Sequence, residues 1–463
     1  MGSLSVGGAD IVKRVVVIGG GFAGLAAGVD LASRGCAVTV VEARPRLGGR
    51  AYSFRDDQSG ETIDNGQHTL MGCYRHTLAF LDCIGATPKL ARQHHLAVEM
   101  VHPQRGAGSI TGAPLPCPLH VLGGILRYRL LTRSERLRAL CAGVQIMAMR
   151  RRHDPRLSEW TVEQLLSALR QSPNARAAFW DPVAIATLNE SPQRAAAAPF
   201  AEVLALAFFR SRADSQFVLP KVGLSDLYTG DAQAYIEARG GRVELKAAAA
   251  ELVMAEDRVR AVLLRDGSKL EADAVVGAVP PKALAAVLSN GLRRGGLKGI
   301  ELFETSPIVS VHLWFDRPVL TSAFVGLIGT RTQWAFNRSL LTETERERQC
   351  VSAVISAGRD VVEWPAGQIA QQAIDDLQSL LPAARAARVL QSVVVKEKHA
   401  TISATPAAER LRPGVETGVD NLFLAGDWIH TGLPPTIESA VRSGQRAAEL
   451  AAKHLEMFRS SAS

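Results

Sequence analysis

The sequence predicts an α/β fold in which a doubly wound nucleotide-binding domain is interrupted by an inserted α+β domain. Three observations carry this prediction. A β-branched run, Val15 to Ile18, leads into a glycine cluster and an Ala/Leu-rich stretch that ends near Arg34. A second apolar run, Ala37 to Val41, closes on Glu42. Far downstream, the short run Leu422 to Ala425 ends in Gly426 and Asp427. Strand, turn, helix and strand in that order make one βαβ unit. A matching signal at the other end of the chain implies that the residues between are inserted into the same domain.

The glycine cluster is the first element. Gly19-Gly20-Gly21-Phe22-Ala23-Gly24 holds G-x-G-x-x-G directly after a strand and at the opening of a helix. Gly19 permits the tight turn, Gly21 lets the backbone approach a pyrophosphate, and Gly24 lets helix and strand close together. The free N–H groups at the helix start, around Phe22 and Ala23, favour an anion. Glu42, followed by Ala43 and Arg44, ends the second strand where a carboxylate accepts hydrogen bonds from ribose hydroxyls. Strand, helix and acid together indicate dinucleotide binding rather than a structural glycine turn.

Two further elements favour FAD over NAD. Leu47-Gly48-Gly49-Arg50 supplies close backbone and a guanidinium for a pyrophosphate or flavin edge. Asp427, at the end of the distal strand, can bind ribityl hydroxyls. A helix beginning near Thr436, between Pro435 and Ile437, can aim its positive end at the flavin N1–C2=O edge.

Between these ends the pattern is helical from about Cys73 to Ala207, with weakly amphipathic stretches at Leu119 to Met149 and Val162 to Leu169. Strand signals return from Val243 to Val279. A glycine-rich break spans Gly291 to Gly299, followed by strands at Ile308 to Phe315 and Val351 to Ser356, a helix at Val361 to Leu381, and a closing helix from about Ile437 to His454. The predicted partition assigns residues 1–75, 226–290 and 411–463 to the nucleotide domain. Residues 76–225 form a helical, substrate- or membrane-facing part, and residues 291–410 complete the substrate domain.

Bulk properties narrow the class. At 463 residues the chain exceeds a usual single core. A mean hydropathy of +0.06, with no long uninterrupted apolar run, excludes a multi-span helical membrane protein. The net charge is +8, and much of the excess is arginine in RYRLLTRSERLRALCAGVQIMAMRRRHDPR, Arg127 to Arg156. Basic residues with Leu, Ile and Met at helical spacing suit an anionic lipid surface. They equally suit a solvated helix whose arginine stems cover a core face. Nucleic acid is not indicated, because no aromatic-basic interleaving or nucleic-acid motif accompanies the charge. Six cysteines without a C-x-x-C pair argue against a disulfide framework and a zinc site, and the pair His94-His95 lacks accompanying ligands, so no metal is expected. MGSLSVGGADIVK lacks the apolar stretch of a secretory signal. A cytoplasmic location, peripheral at the inner membrane face, is expected.

The segments VVVIGGGFAGLAAG, VVEARPRLGGR and NLFLAGDW resemble the flavin amine oxidase and phytoene desaturase superfamily. Asp64-Asn65-Gly66-Gln67-His68, TLNESPQRAAAAPFAEVL (Thr187 to Leu204), KVGLSDLY (Lys221 to Tyr228) and WIHTGLPPTIESAVRSG (Trp428 to Gly444) resemble its squalene-associated branch, the hydroxysqualene dehydroxylases of hopanoid biosynthesis. The resemblance implies a Rossmann-like, glutathione-reductase-like FAD domain with an amine-oxidase-like inserted domain. It also implies a polyprenoid substrate, hydroxysqualene, and a reductant for the flavin that the sequence does not identify. In the implied reaction, acid-assisted loss of water leaves a carbocation stabilised by a neighbouring alkene, reduced flavin N5 delivers hydride, and an apolar site excludes water. The resemblance places Gly66, Gln67 and His68 near the isoalloxazine and offers Asp64 or His68 as proton donor. The competing reading has Asp64 capping a turn and His68 bonding backbone. Ala249 stands where the superfamily's adenine-contacting strand usually has valine, a contact made largely through backbone. Lys398 is read as solvated. Leu433-Pro434-Pro435, where amine oxidases tend to place aromatics, counts against an amine substrate. The rivals are a carotenoid-type desaturase, running the flavin in the opposite direction, a flavin amine oxidase, which is the weaker of the two enzymes, and a polyprenoid-binding flavoprotein without turnover.

Overall fold

The computed structural model describes residues 13–288, 297–343 and 348–462. The start of the chain before residue 13 and most of the glycine-rich break at Gly291 to Gly299 lie outside the described residues. The first strand, Arg14–Ile18, buries four of its five residues. It pairs in parallel with Ala37–Glu42 on one side and Ala274–Gly277 on the other. Arg242–Leu245 and Leu422–Leu424 complete a five-stranded, all-parallel sheet. Near-continuous apolar runs are what a sheet covered on both faces requires. On one face lie the first helix, Phe22–Ser33, and the closing helix, Ile437–Ala462. They approach closely: a Cβ on Gly444 would stand 2.2 Å from the carbonyl oxygen of Ala23. The other face is covered by the antiparallel sheet Ala249–Ala255, Arg258–Leu264 and Lys269–Glu271, through Leu252 and Val262 against Val16 and Ile18.

A second sheet of seven strands runs in the order Val389–Ile402, Thr305–Phe315, Gln349–Ser356, Trp334–Asn337, Phe324–Leu327, Ala97–His102, Gly106–Thr111. Its last two strands form a hairpin within the stretch read as helical. Strands of six residues give period two too few repeats to stand out against long helical neighbours. Val389–Ile402, which the sequence did not signal, pairs along Thr305–Phe315. The helix expected from Val361 begins at Ala366, because Pro365 occupies its N-cap. Helix Ala366–Leu380 covers one face of this sheet.

On the opposite side lie Leu119–Arg127, Arg133–Arg151, Val162–Ala168 and Ala197–Phe208. The stretch expected as one amphipathic segment is therefore two helices. The break is held by the Tyr128 hydroxyl, which donates to Ala178 O at 2.8 Å, and by Thr132 and Glu135, which form a reciprocal capping box. No helix among the described residues is long and apolar enough to cross a membrane.

Candidate active site

The glycine cluster and the Gly-Gly-Arg loop are bonded into one surface. Gly48 N donates to Gly20 O at 2.9 Å, and Gly20 N donates to the Glu42 carboxylate at 2.8 Å. The other Glu42 oxygen accepts from Arg44 N at 2.9 Å. A carboxylate offers about four acceptor positions, so two backbone donors leave capacity for hydroxyls. A Cβ on Gly24 would fall 1.8 Å from Gly19 O, which fixes how closely helix and strand meet. Gly21 caps the helix without a side chain. The first-turn amides of Phe22, Ala23 and Gly24 therefore present the positive end of the helix across a surface of bare glycine backbone. The Phe22 ring turns away and stacks on Tyr228 with centroids 3.8 Å apart. Ala247 N donates to Glu42 O at 2.9 Å, which brings the Ala249 segment to the same edge of the sheet. This glycine cradle, with an acid at its rim, fits the adenosine diphosphate half of FAD.

Across the sheet, Arg50 pairs with Asp427 at 2.6 Å and also donates to Ala400 O at 3.1 Å. Gly426 carries a φ of +144° and donates to Ser443 Oγ at 2.9 Å. Pro435 and Thr436 precede the closing helix, and Thr436 Oγ1 accepts from Ser439 N at 3.3 Å, as a capping residue does before Ile437. Sequence reasoning missed Arg412. Its buried guanidinium donates to the carbonyl oxygens of Leu433, Asp427 and Ile429 at 2.7, 2.9 and 2.7 Å, fixing the loop that carries Asp427.

The Asp64 to His68 loop divides between two surroundings. Both oxygens of the buried Asp64 carboxylate are engaged: Oδ2 with Arg338 at 3.0 Å, and Oδ1 with Ser53 Oγ at 2.7 Å and Leu224 N at 2.9 Å. Asn65 bridges Arg50 O and Glu397 at 2.9 Å each. His312, also missed by sequence reasoning, donates from Nε2 to Asp64 O at 2.9 Å while Nδ1 accepts from Ser352 Oγ at 2.8 Å. His68 instead lines a cavity, and its Nδ1 donates to Gly66 O at 2.8 Å. Desolvation lowers the His68 pKa, so the ring is neutral at neutral pH and Nε2 is an acceptor.

Burial pulls His312 down to about 4, with the Arg338 charge acting in the same direction. A pKa depressed on folding gives stability that is whole above the unfolded value of about 6.5 and is lost as pH falls to the folded value. Thermal unfolding is therefore expected to lose on the order of 3 kcal/mol between those limits. His312→Gln is expected to flatten the acid limb of Tm against pH, and an unchanged slope in the variant would contradict this.

The cavity, about 530 Å³, lies between the seven-stranded sheet and the helices. Its lining includes the polar residues Gln67, His68, Thr69, Tyr74, Thr187, Ser356 and Thr436. Elsewhere its walls are Leu, Ile, Val, Met, Phe and Trp for the most part, including Ile125, Phe179, Trp180 and Phe336. Tyr74 was not identified from sequence. It precedes helix Arg75–Cys83, whose first turn is held by the buried Glu438 through His76 N at 3.0 Å, Thr77 N at 2.9 Å and Thr77 Oγ1 at 2.7 Å. Burial pushes the Tyr74 pKa up, so the phenol keeps its proton. Lys398 is apart from this site, exposed and paired with Glu363 at 2.8 Å.

Comparison with known proteins agrees with this architecture. Residues 22–452 match the family of flavin containing amine oxidoreductases. A hydroxysqualene dehydroxylase of Rhodopseudomonas palustris is 32% identical over 446 residues, 95% of this chain and 98% of that protein. Another, from Sinorhizobium fredii, is 29% identical over 95% of this chain and 98% of its own length. A zeta-carotene desaturase of Zea mays is 25% identical over 94% of this chain and 82% of that protein. Among solved structures, an oxidoreductase from Methanosarcina mazei superposes with a TM-score of 0.76, covering 94% of this chain and all of that one, at 17% identity. The chain belongs to the flavin containing amine oxidoreductase family, together with the hydroxysqualene dehydroxylases, and is an FAD-dependent oxidoreductase.

Proposed function

We propose that the protein removes the hydroxyl of hydroxysqualene reductively, so that hydroxysqualene and reduced FAD give squalene, water and oxidised FAD. One observation carries this reading: the cavity is lined mostly by apolar side chains, with Gln67, His68, Tyr74 and Thr436 among its few polar ones. Such a space suits a hydrocarbon chain that bears a single hydroxyl. FAD is assigned to Gly19, Gly21 to Gly24, Glu42 to Arg44, Gly48 to Arg50, Gly66 to His68, Ala249, Gly426, Asp427 and Pro435 to Ile437; when bound and reduced, it supplies hydride. The chain's own residues do the rest. Tyr74 donates to the departing hydroxyl, and neutral His68 accepts through Nε2 and orients it. Glu438 and Thr436 hold Tyr74 in place. Asp64 is given a structural part, setting the loop through Arg338 and His312. The apolar walls keep water from a carbocation once the hydroxyl has left.

A desaturase acting on a polyprenoid hydrocarbon would have no use for a donor hydroxyl such as that of Tyr74 in the cavity wall, which favours dehydroxylation. Anaerobically reduced protein mixed with hydroxysqualene is expected to yield squalene, with the oxidised-flavin absorbance returning in equal amount. An unchanged spectrum with no squalene would reject the reading. Bleaching of the oxidised protein by phytoene would support the desaturase instead.

A further inference from the structure

The helices that wall the cavity also carry an unusual outer surface. Leu122, Ile125 and Leu140 line the cavity, while Leu126 and Leu137 point outward with 43% and 59% of their surface exposed. Leu137, Cys141 and Val144 follow i, i+4, i+7 spacing and are all exposed, so helix Arg133–Arg151 carries an exposed apolar stripe that adjoins its cavity-lining residues. Arg136 donates to Leu126 O at 2.8 Å, which places the end of the preceding helix beside the start of this stripe.

Leu119, Val144 and Phe209 are exposed by 47%, 65% and 38% and also line the cavity, so the outer stripe runs continuously into its wall. Arg127, Arg129, Arg133 and Arg138 flank these apolar residues along the two helices and the turn between them. They are exposed and make no ion pair among the described residues. Arg127 and Arg129 also line a second cleft of about 650 Å³.

We propose that this face, formed by helices Leu119–Arg127 and Arg133–Arg151, docks on an anionic lipid bilayer, with Leu126, Leu137 and Val144 entering the acyl boundary and the arginines meeting headgroup phosphates. Apolar tips within unpaired cations match both layers of such a surface: the leucines lose water and the guanidiniums gain phosphate partners. The rim at Leu119, Val144 and Phe209 then opens toward lipid, so an apolar ligand passes from bilayer to cavity without crossing water. Only this last step rests on the proposed substrate.

The test sediments the full-length, FAD-loaded protein with vesicles of phosphatidylcholine alone or mixed with phosphatidylglycerol. Binding is expected on the mixed vesicles, weakening as salt rises. Arg127→Gln/Arg129→Gln is expected to lower the partition coefficient by roughly tenfold or more. Leu126→Glu/Leu137→Glu is expected to abolish binding, while flavin content and turnover of detergent-dispersed hydroxysqualene match the parent. The proposal is overturned if the parent stays in the supernatant, or if the leucine variant binds as the parent does. It is equally overturned if those leucines prove to hold two copies of the chain together and binding to vesicles is absent. Sedimentation needs no turnover, so failure of dehydroxylation and failure of docking are seen separately.

Discussion

Replacing Gly24 by alanine is expected to strip the protein of FAD. The added Cβ would stand 1.8 Å from the carbonyl oxygen of Gly19, 3.0 Å from its carbonyl carbon and 3.3 Å from the Ala278 side chain. Two of these neighbours are backbone of the same turn, so relief requires the first helix to move off the first strand. That helix also carries the closing helix, through Gly444 against Ala23. One methyl group therefore disturbs the glycine cradle and both helices on that face of the sheet. Overpacking against backbone belongs with the most destabilising substitutions, above about 4 kcal/mol, because no rotamer change absorbs it. The flavin-to-protein absorbance ratio of purified Gly24→Ala should approach zero, with a large fall in Tm. Gly230→Ala is the control: it lies in helix Leu224–Glu237 with nothing within 4 Å of an added Cβ. It should retain FAD and gain up to about 1 kcal/mol from helix propensity. A Gly24→Ala protein with full flavin and an unchanged Tm would refute the close-packed cradle.

That prediction rests on a feature legible in the sequence because its physics is local. Gly19 to Gly24 announces a turn, a close approach and a helix start within six residues. Glu42 is legible for a similar reason: one strand spacing carries it to the same edge. Glu438 and His312 act across much longer separations, and Arg412, 15 to 21 positions from the carbonyls it holds, stands in no motif. Glu438 holds a helix 361 positions earlier, and His312 bonds a carbonyl 248 positions away. Residue type alone does not distinguish such a buried polar group from a solvated one. Asp64 shows the opposite difficulty. Its neighbourhood resembles a functional loop, yet the partner that fixes its carboxylate, Arg338, lies 274 residues downstream with no local sign of the pairing. Strand Val389–Ile402 was hidden for a third reason. Few of its residues are fully buried, so Lys, Glu and His interrupt the apolar run that would reveal it.

Tyr74→Phe is expected to lower turnover of hydroxysqualene by roughly a hundredfold or more while leaving flavin content and Tm near the parent's. The variant removes one hydroxyl and keeps the ring that lines the cavity, so its cost falls on the step in which the hydroxyl departs. His68→Gln has a different signature. Glutamine can still accept a hydrogen bond, so a smaller loss is expected, borne more by KM than by kcat. The pH profile separates the two side chains. Burial lowers the His68 pKa and raises that of Tyr74, so neither changes charge between about pH 6.5 and 8. With Tyr74 as donor, kcat is expected to be flat across that interval. Were His68 the donor, the active form would be the protonated ring. The rate would then rise as pH fell below its ordinary value of about 6.5, and His68→Gln would erase the rise. A flat profile with the large loss confined to Tyr74→Phe assigns the proton to the phenol. An acid-side rise abolished in His68→Gln, together with a near-normal Tyr74→Phe, would move the donor to the histidine and leave Tyr74 as part of the wall.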